Sequence, residues 1–336
     1  MGKCEYKTIS MNDIPAMAKL LINRQSFEGE VYPFLNNNYL NTEHITNMLE
    51  NLFVHNNVNG VGAFIKDDLV GYIIGVVKID TVRGRHIWVP YEGMAIRKDQ
   101  SSELIRNLYT EVSVAWLEQG CFMHYTIIPL GNQAYYDAYL RLSFSIQQVH
   151  GVMNIGDYKP FENVCNAEIR VANKMDSEMM GKMSRIIQSY QNAAPTFEPV
   201  FPEVVMSIKA SYKSIVEDND DTCLVAIKDG QELGFQKYYP INSDLMTPEH
   251  AIELTIAGTY SSQMGRGVGK ELMNEGCRRM KEAGYENIIT DWRITNLAAS
   301  TFWPKCGFKP VAYRMVRYIN SDIAWANFNN PSIELL

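Results

Sequence analysis

The stretch His250–Lys270, HAIELTIAGTYSSQMGRGVGK, decides the fold. Its first ten residues alternate as a strand does, and that alternation predicts Glu253 on the same face as Ala257 and Thr259. Glycines then recur at Gly265, Gly267 and Gly269, and beyond them Leu272, Met273, Cys277 and Met280 fall on one face of a helix predicted to start near Lys270. A strand, a glycine loop and a helix N-terminus in that order form an anion-binding arrangement. The first helical N–H groups have no intrahelical partner, and the helix dipole adds positive potential in front of them. Glycine lets a phosphate approach the main chain closely, and Arg266 and Lys270 add charge. A dinucleotide fingerprint would need a glycine where Leu272 stands, and a P-loop would need Ser or Thr where Glu271 follows Lys270. The remaining alternative is a glycine turn that serves only the path of the chain.

Upstream of this stretch, EIRVANKMDSEMMGKMSRIIQSY reads as a strand and helix and CLVAIKDGQELGFQKYY as a hairpin; downstream, YENIITDW is another strand. The first half gives the same order: a helix from Met11 to Asn23, strands in GVGAFIKDDLVGYIIGVVKI and WVPYEGMAI, a helix in SSELIRNLYTEVSVAWLEQG, a strand HYTIIPL and a helix in NQAYYDAYLRLSF. Landmarks align as well. Lys66 precedes Lys228 by 162 residues, Gly71 precedes Gly234 by 163 and Asn132 precedes Asn296 by 164, while Asn132–Phe144 and Asn296–Phe308 have the same length. We read an internal duplication. The fold class expected is α/β (α+β), with two tandem domains, each a mixed, mostly antiparallel twisted sheet flanked by helices. The polar stretch from Met153 to Val164 is the linker, which places one domain at 1–162 and the other at 163–336.

The 336 residues suffice for two cores, and 46% hydrophobic with 21% charged residues is ordinary globular composition. A formal net charge of −7 argues against a general nucleic-acid binder and favours a basic substrate. The six cysteines are scattered without CxxC spacing, so no metal site is expected. The N-terminus lacks a signal-peptide core and no run of 18 apolar residues occurs, so the expectation is a cytoplasmic protein without a membrane partner.

On these residues the chain resembles the GNAT superfamily of N-acetyltransferases. The family's R/Q-x-x-G-x-G/A signature is matched by Gly265, Arg266, Gly267, Val268 and Gly269 with Met264 before them, and its second signature by Asn296, Ala299, Gly307 and Phe308. The resemblance implies acetyl-CoA as cosubstrate, bound by the main chain of Ala257 and Thr259 and by the loop from Gly265 to Lys270. It further implies a cofactor role for Asn296, whose residue type also suits a helix cap. Direct transfer of an acetyl or other acyl group to a primary amine of a small molecule or peptide is the implied reaction. Glu253 resembles the family's strand glutamate that serves as base; an edge-strand surface carboxylate is the alternative. The proton donor is open. The family's usual tyrosine is replaced by Trp303, which leaves Tyr313 or Tyr260, and the first domain keeps Tyr139 at the equivalent position. Met264 replaces a polar residue, and Arg97–Glu103 contains no glycine, so the first domain is expected to have lost its cofactor site. The competing function is a non-catalytic acyl-CoA binding or regulatory protein.

Overall fold

A computed structural model describes residues 4–35, 41–54, 57–217 and 221–327. In chain order its elements are β1 (Glu5–Thr8), α1 (Ile14–Val31), α2 (Thr42–Phe53), β2 (Val58–Ile65), β3 (Asp68–Asp80), β4 (Gly84–Val89), β5 (Met94–Ile96), α3 (Ser102–Glu118), β6 (Met123–Pro129), α4 (Gln133–Arg141) and β7 (Ser145–Asn154). The second series is β8 (Glu168–Val171), α5 (Ser177–Asn192), α6 (Pro202–Ser214), β9 (Thr222–Lys228), β10 (Gln231–Pro240), β11 (Ala251–Thr259), α7 (Val268–Glu282), β12 (Asn287–Arg293), α8 (Leu297–Lys305) and β13 (Lys309–Tyr318).

The duplication read from spacing is present in three dimensions, down to the caps. Ser10 and Asp13 form a capping box ahead of α1, and Asn173 and Asp176 form one ahead of α5. Asn132 caps α4 through Ala134 N–H, as Asn296 caps α8 through Ala299 N–H. In each half the strands pair antiparallel except for one parallel rung set, β4 with β6 and β11 with β12.

The chain divides into two compact units, residues 1–147 with 311–336, and residues 148–310. This division differs from a linear cut between residues 162 and 163. Backbone pairing is the reason: β13 lies antiparallel on β6, from Ala312 opposite Pro129 to Tyr318 opposite Met123. Residues 148–154 of β7 lie on β12, from Gln148 opposite Arg293 to Asn154 opposite Asn287. Each series thus contributes its last strand to the other unit.

Unit 1 packs α3 and α4 on its sheet through Leu104, Ile105, Leu108, Val112, Trp116, Tyr135 and Tyr139, with Met315 from β13 in the same core. Tyr139 is fully buried and its hydroxyl meets Met94 Sδ, so it is a core aromatic. Unit 2 has apolar layers on both faces of its sheet. Helices α5 and α6 cover Cys223, Val225 and Phe235 with Met180, Met183, Ile186 and Tyr212. Helix α7 buries Val268, Leu272, Met273, Cys277 and Met280, the stripe that the sequence predicts.

Candidate functional site

The site in unit 2 begins with a fork between two parallel strands. Strands β11 and β12 pair only over Ala251–Asn287, Ile252–Ile288 and Glu253–Ile289. Directly after the last rung, Thr290 Oγ1 donates to the Leu254 carbonyl at 2.8 Å and pins the branch point. From there to Thr259, the pairing described for β11 is with β10 alone. Its other edge presents main-chain groups to a ligand, as the edge of a sheet does to an added strand.

At the end of β11 the chain passes through a short 3-10 turn (Ser261–Gln263) into the glycine loop. Gly265 and Gly267 have φ of +73° and +88°, in the left-handed region that glycine enters without penalty. Helix α7 starts at Val268, two residues before the predicted start, with Gly267 as N-cap and no side chain capping it. The N–H groups of the first turn are therefore available to an anion. A Cβ at Gly265 would meet nothing within 4 Å, whereas one at Gly267 would lie 3.0 Å from the Val164 main chain. The two glycines consequently serve different purposes: Gly265 leaves room in front of the helix, and Gly267 also admits the neighbouring chain.

The loop's side chains divide in the same way. Arg266 is exposed, while Val268 is buried and offers only its N–H. The Lys270 ammonium sits 5.3 Å from the Phe161 ring centroid. Glu271, an acid in the first turn, is turned toward the preceding chain: Oε2 accepts from Cys165 Sγ at 2.8 Å and from Ala167 N–H at 2.9 Å. The second signature is mechanical here. Asn296 caps α8, and Phe302 of α8 lies 3.2 Å from where a Gly269 Cβ would be, seating one helix on the start of the other. Asn296 Oδ1 accepts from Ala299 N–H at 3.1 Å, which is the cap.

The alternation expected along β11 is broken. Rungs run from Gly234–Thr259 to Lys237–Ile256, and the next joins Tyr238 to Leu254, so Thr255 is an extra residue in a β-bulge. Ala257 and Thr259 share the face of Gln236 and Tyr238, toward α7, where Gly276 admits the Tyr238 hydroxyl. Glu253, opposite Tyr239, shares the other face with Ile256 and Gly258, which pack toward α5 and α6. One inserted residue reverses every side chain before it, and Glu253 stands on the opposite face from Ala257 and Thr259.

On that face Glu253 is half-buried. Burial raises its carboxyl pKa above the ordinary value, the Asp291 and Asp244 charges raise it further, and Lys237 opposes them. Lys237 itself is paired with the buried Asp221 at 2.6 Å. The α5–α6 connection is held to the end of β12 by an Arg293–Glu198 ion pair at 2.9 Å. Sequence reasoning passed over Tyr190 of α5, whose hydroxyl reaches the Thr259 carbonyl at 3.2 Å, on the edge of β11 beyond the fork. Its position in α5 carried no motif. Tyr313 belongs to unit 1, opposite Ile128 and 5.8 Å from the Tyr136 ring, not to the unit that carries the loop. Tyr260, the residue after β11, packs against the α5–α6 layer.

Unit 1 has a fork of the same kind, with β4 and β6 paired from Ile87–His124 to Val89–Thr126. Beyond it the strand breaks at Pro90, and the buried Arg24 of α1 donates to the carbonyls of Tyr91 and Met94. Glu28, one turn on, accepts from Gly131 N–H at 2.8 Å. Side chains of α1 thus hold the broken strand, and the following helix α3 has Ser101 rather than glycine at its N-cap and Glu103 in its first turn.

Residues 186–308 match the model of the acetyltransferase (GNAT) family. No curated protein sequence matches the chain. Among solved structures, a GCN5-related N-acetyltransferase from Sphaerobacter thermophilus is 12% identical with a TM-score of 0.58, over 94% of this chain and 95% of that one. A glucosamine N-acetyltransferase region of a fungal multi-domain β-N-acetylglucosaminidase is 13% identical with a TM-score of 0.52, over 94% of this chain and 38% of that one. A PaiA N-acetyltransferase from Thermoplasma acidophilum, solved with coenzyme A, is 21% identical with a TM-score of 0.36, over 46% of this chain and 99% of that one. Among the described residues, no helix is long and apolar enough to cross a membrane.

Proposed function

We propose that this chain, whose residues 186–308 match the model of the acetyltransferase (GNAT) family, is an acyl-coenzyme A dependent N-acyltransferase that moves an acetyl group to a primary amine in a ternary complex. The observation that carries the reading is the adjacency, in unit 2, of a forked parallel strand pair and an uncapped glycine loop at the start of α7. Acyl-CoA supplies an activated acyl group as a thioester; the rest is work for the chain's own residues. The first-turn N–H groups of α7, with Gly265 leaving space before them, suit a diphosphate. The free edge of β11 from Thr255 to Thr259 suits the amide-bearing arm of the donor, held by main chain and not by side chains.

Glu253 is the group we assign to removing a proton from the acceptor ammonium. A carboxylate held above its ordinary pKa by burial and by Asp291 is a better base than a solvated one, and the same negative field draws an amine in as a cation. Because the bulge places Glu253 opposite the α7 face, the acceptor approaches from the α5–α6 side. Tyr190, on the Thr259 carbonyl, takes the place of Tyr313 as the hydroxyl assigned to protonate the departing thiolate.

The reading is tested by thiol release from acetyl-CoA across diamines, amino sugars and peptide N-termini, with coenzyme A binding followed by calorimetry. Turnover with at least one amine, strongly reduced but measurable in Glu253→Gln and reduced in Tyr190→Phe, is expected. Tight coenzyme A binding without turnover on any amine would instead favour a non-catalytic acyl-CoA binding protein.

A further inference from the structure

Helix α7 meets a conflict at its first turn. The leading N–H groups of a helix have no intrahelical partner, and a Ser, Thr, Asp or Asn side chain at the N-cap ordinarily satisfies one of them and holds the turn. Such a cap would occupy the groups that a diphosphate needs. Gly267 stands at the N-cap of α7 with φ +88° and no side chain, so no cap holds the turn from which the cradle is made. Glycine also loses more backbone freedom on folding than any other residue, which makes an unsupported turn here loose. The support has to come from another part of unit 2.

Residues 158–167, which run into β8, contain neither helix nor strand and read in the sequence as a linker. In the structure they form a strap on α7. Asn274 Oδ1 accepts from the Tyr158 hydroxyl at 2.8 Å and from Phe161 N–H at 2.9 Å, and its Nδ2 donates to the Phe161 carbonyl at 2.9 Å. One turn nearer the cradle, Glu271 Oε2 accepts from Cys165 Sγ and Ala167 N–H, and Lys228 Nζ of β9 donates to the Cys165 carbonyl at 2.7 Å. Between these ties, the Val164 main chain lies 3.0 Å from where a Gly267 Cβ would stand, so the strap closes on the N-cap itself. The ties of Glu271 also turn its carboxylate to the strap and not to the cradle, where its charge would repel a phosphate. Asn274 lies six residues beyond Val268, about 9 Å along the axis at 1.5 Å per residue, out of reach of an anion at the helix start.

We infer that the strap is a preorganising wall of the donor site, with Asn274 and Glu271 as positioning residues that hold residues 158–167 against Gly267 and thereby set the turn for the donor's phosphates. The inference rests on the coenzyme A reading of the α7 cradle. Linkage gives it a second consequence: a docked strap that favours the donor is itself favoured, by the same factor, when the donor binds.

The test uses the full chain and coenzyme A. Affinity is measured by calorimetry in the wild type, in Asn274→Ala and in Tyr158→Phe, and amide exchange of the wild type is followed with and without coenzyme A. Asn274→Ala, which removes three hydrogen bonds to the strap, is expected to weaken binding by about fivefold or more, and Tyr158→Phe, which removes one of them, by less. In the wild type, coenzyme A slows exchange at Phe161 and Ala167, whose N–H groups donate to α7 side chains, and leaves the amides of α3 in unit 1 unchanged. A tie that serves stability alone would lower Tm in the variants while affinity and the exchange response stayed as they were. That result overturns the inference and leaves the acyltransferase reading standing. Should Asn274→Ala fail to fold, Tyr158→Phe and the wild-type exchange decide by the same criteria. A wild type that does not bind coenzyme A overturns both.

Discussion

Substituting Gly265 separates the cradle's conformation from its charge. At φ +73° an alanine is strained by about 1–2 kcal/mol, and because nothing lies within 4 Å of the added Cβ, no clash is superimposed on that strain. Two thermodynamic routes are open to the variant. If the unliganded loop keeps its left-handed turn, the strain appears as lost folding stability; if the loop relaxes and must be re-formed around the donor, it appears as an affinity loss of about 5- to 30-fold. The sum of the two losses is the constant, so coenzyme A calorimetry and denaturant unfolding are measured on the same Gly265→Ala sample. Gly265→Glu carries the same backbone strain with a carboxylate added before the helix N-terminus. The Ala-to-Glu increment thus isolates repulsion of the bound phosphates, and it shrinks as salt is raised. Equal coenzyme A affinity in the Ala and Glu variants at low salt would refute an anion in the cradle. An unchanged sum for Gly265→Ala would refute the strain argument. Gly267 is the poorer probe, since its Cβ would strike the Val164 main chain and confound both readouts.

Other outcomes are as specific. Glu253 has its folded pKa raised, so its ionisation costs stability as pH rises from its unfolded value through the folded one, and no such cost exists below that window. Glu253→Gln is therefore expected to raise Tm at neutral pH while abolishing the acid limb of the rate profile, and Asp291→Asn to move that limb to lower pH; an acid limb surviving in Glu253→Gln would exclude it as the base. Gly276→Ala places a methyl 2.0 Å from the Tyr238 hydroxyl, so an overpacking loss of about 1–3 kcal/mol is expected in urea unfolding, and a loss below 0.5 kcal/mol would refute that contact. A chain ending at residue 310 lacks β13 and hence Met315 of the unit 1 core; it is expected to expose that core to dye binding, and a native-like unit 1 in amide exchange would contradict the pairing with β6.

The glycine loop and the α7 stripe were legible in the sequence because each is settled within a few residues of chain. Glu253 was not. Its face depends on whether Thr255 has a partner on β10, and alternation counts residues without seeing a bulge. Tyr313 and the limits of the units were hidden for a related reason: nothing in KPVAYRMVRY states which sheet it joins, since its β pattern suits either. Asn296 is marked by the second signature, and in the structure its side chain caps α8, a role that the same letter permits beside a cofactor contact. Tyr190 shows the opposite failure, a hydroxyl brought to the β11 edge by tertiary packing without any local mark.

The exchange of last strands makes residues 148–310 a continuous insertion within a discontinuous unit. On the ribosome, then, the part that emerges first is completed last. At about 5–20 residues per second, the opening 147 residues wait roughly 10–30 s for the strand that closes their sheet, with β6 paired to β4 on one edge and open on the other throughout. The inserted unit has all its strands by residue 310 and can compact during that interval, shortening the effective loop that the final strand must close. Nascent-chain protection of residues 1–147 should therefore fall to whatever cellular factor shields open sheet edges, and the need for it should end with the synthesis of β13.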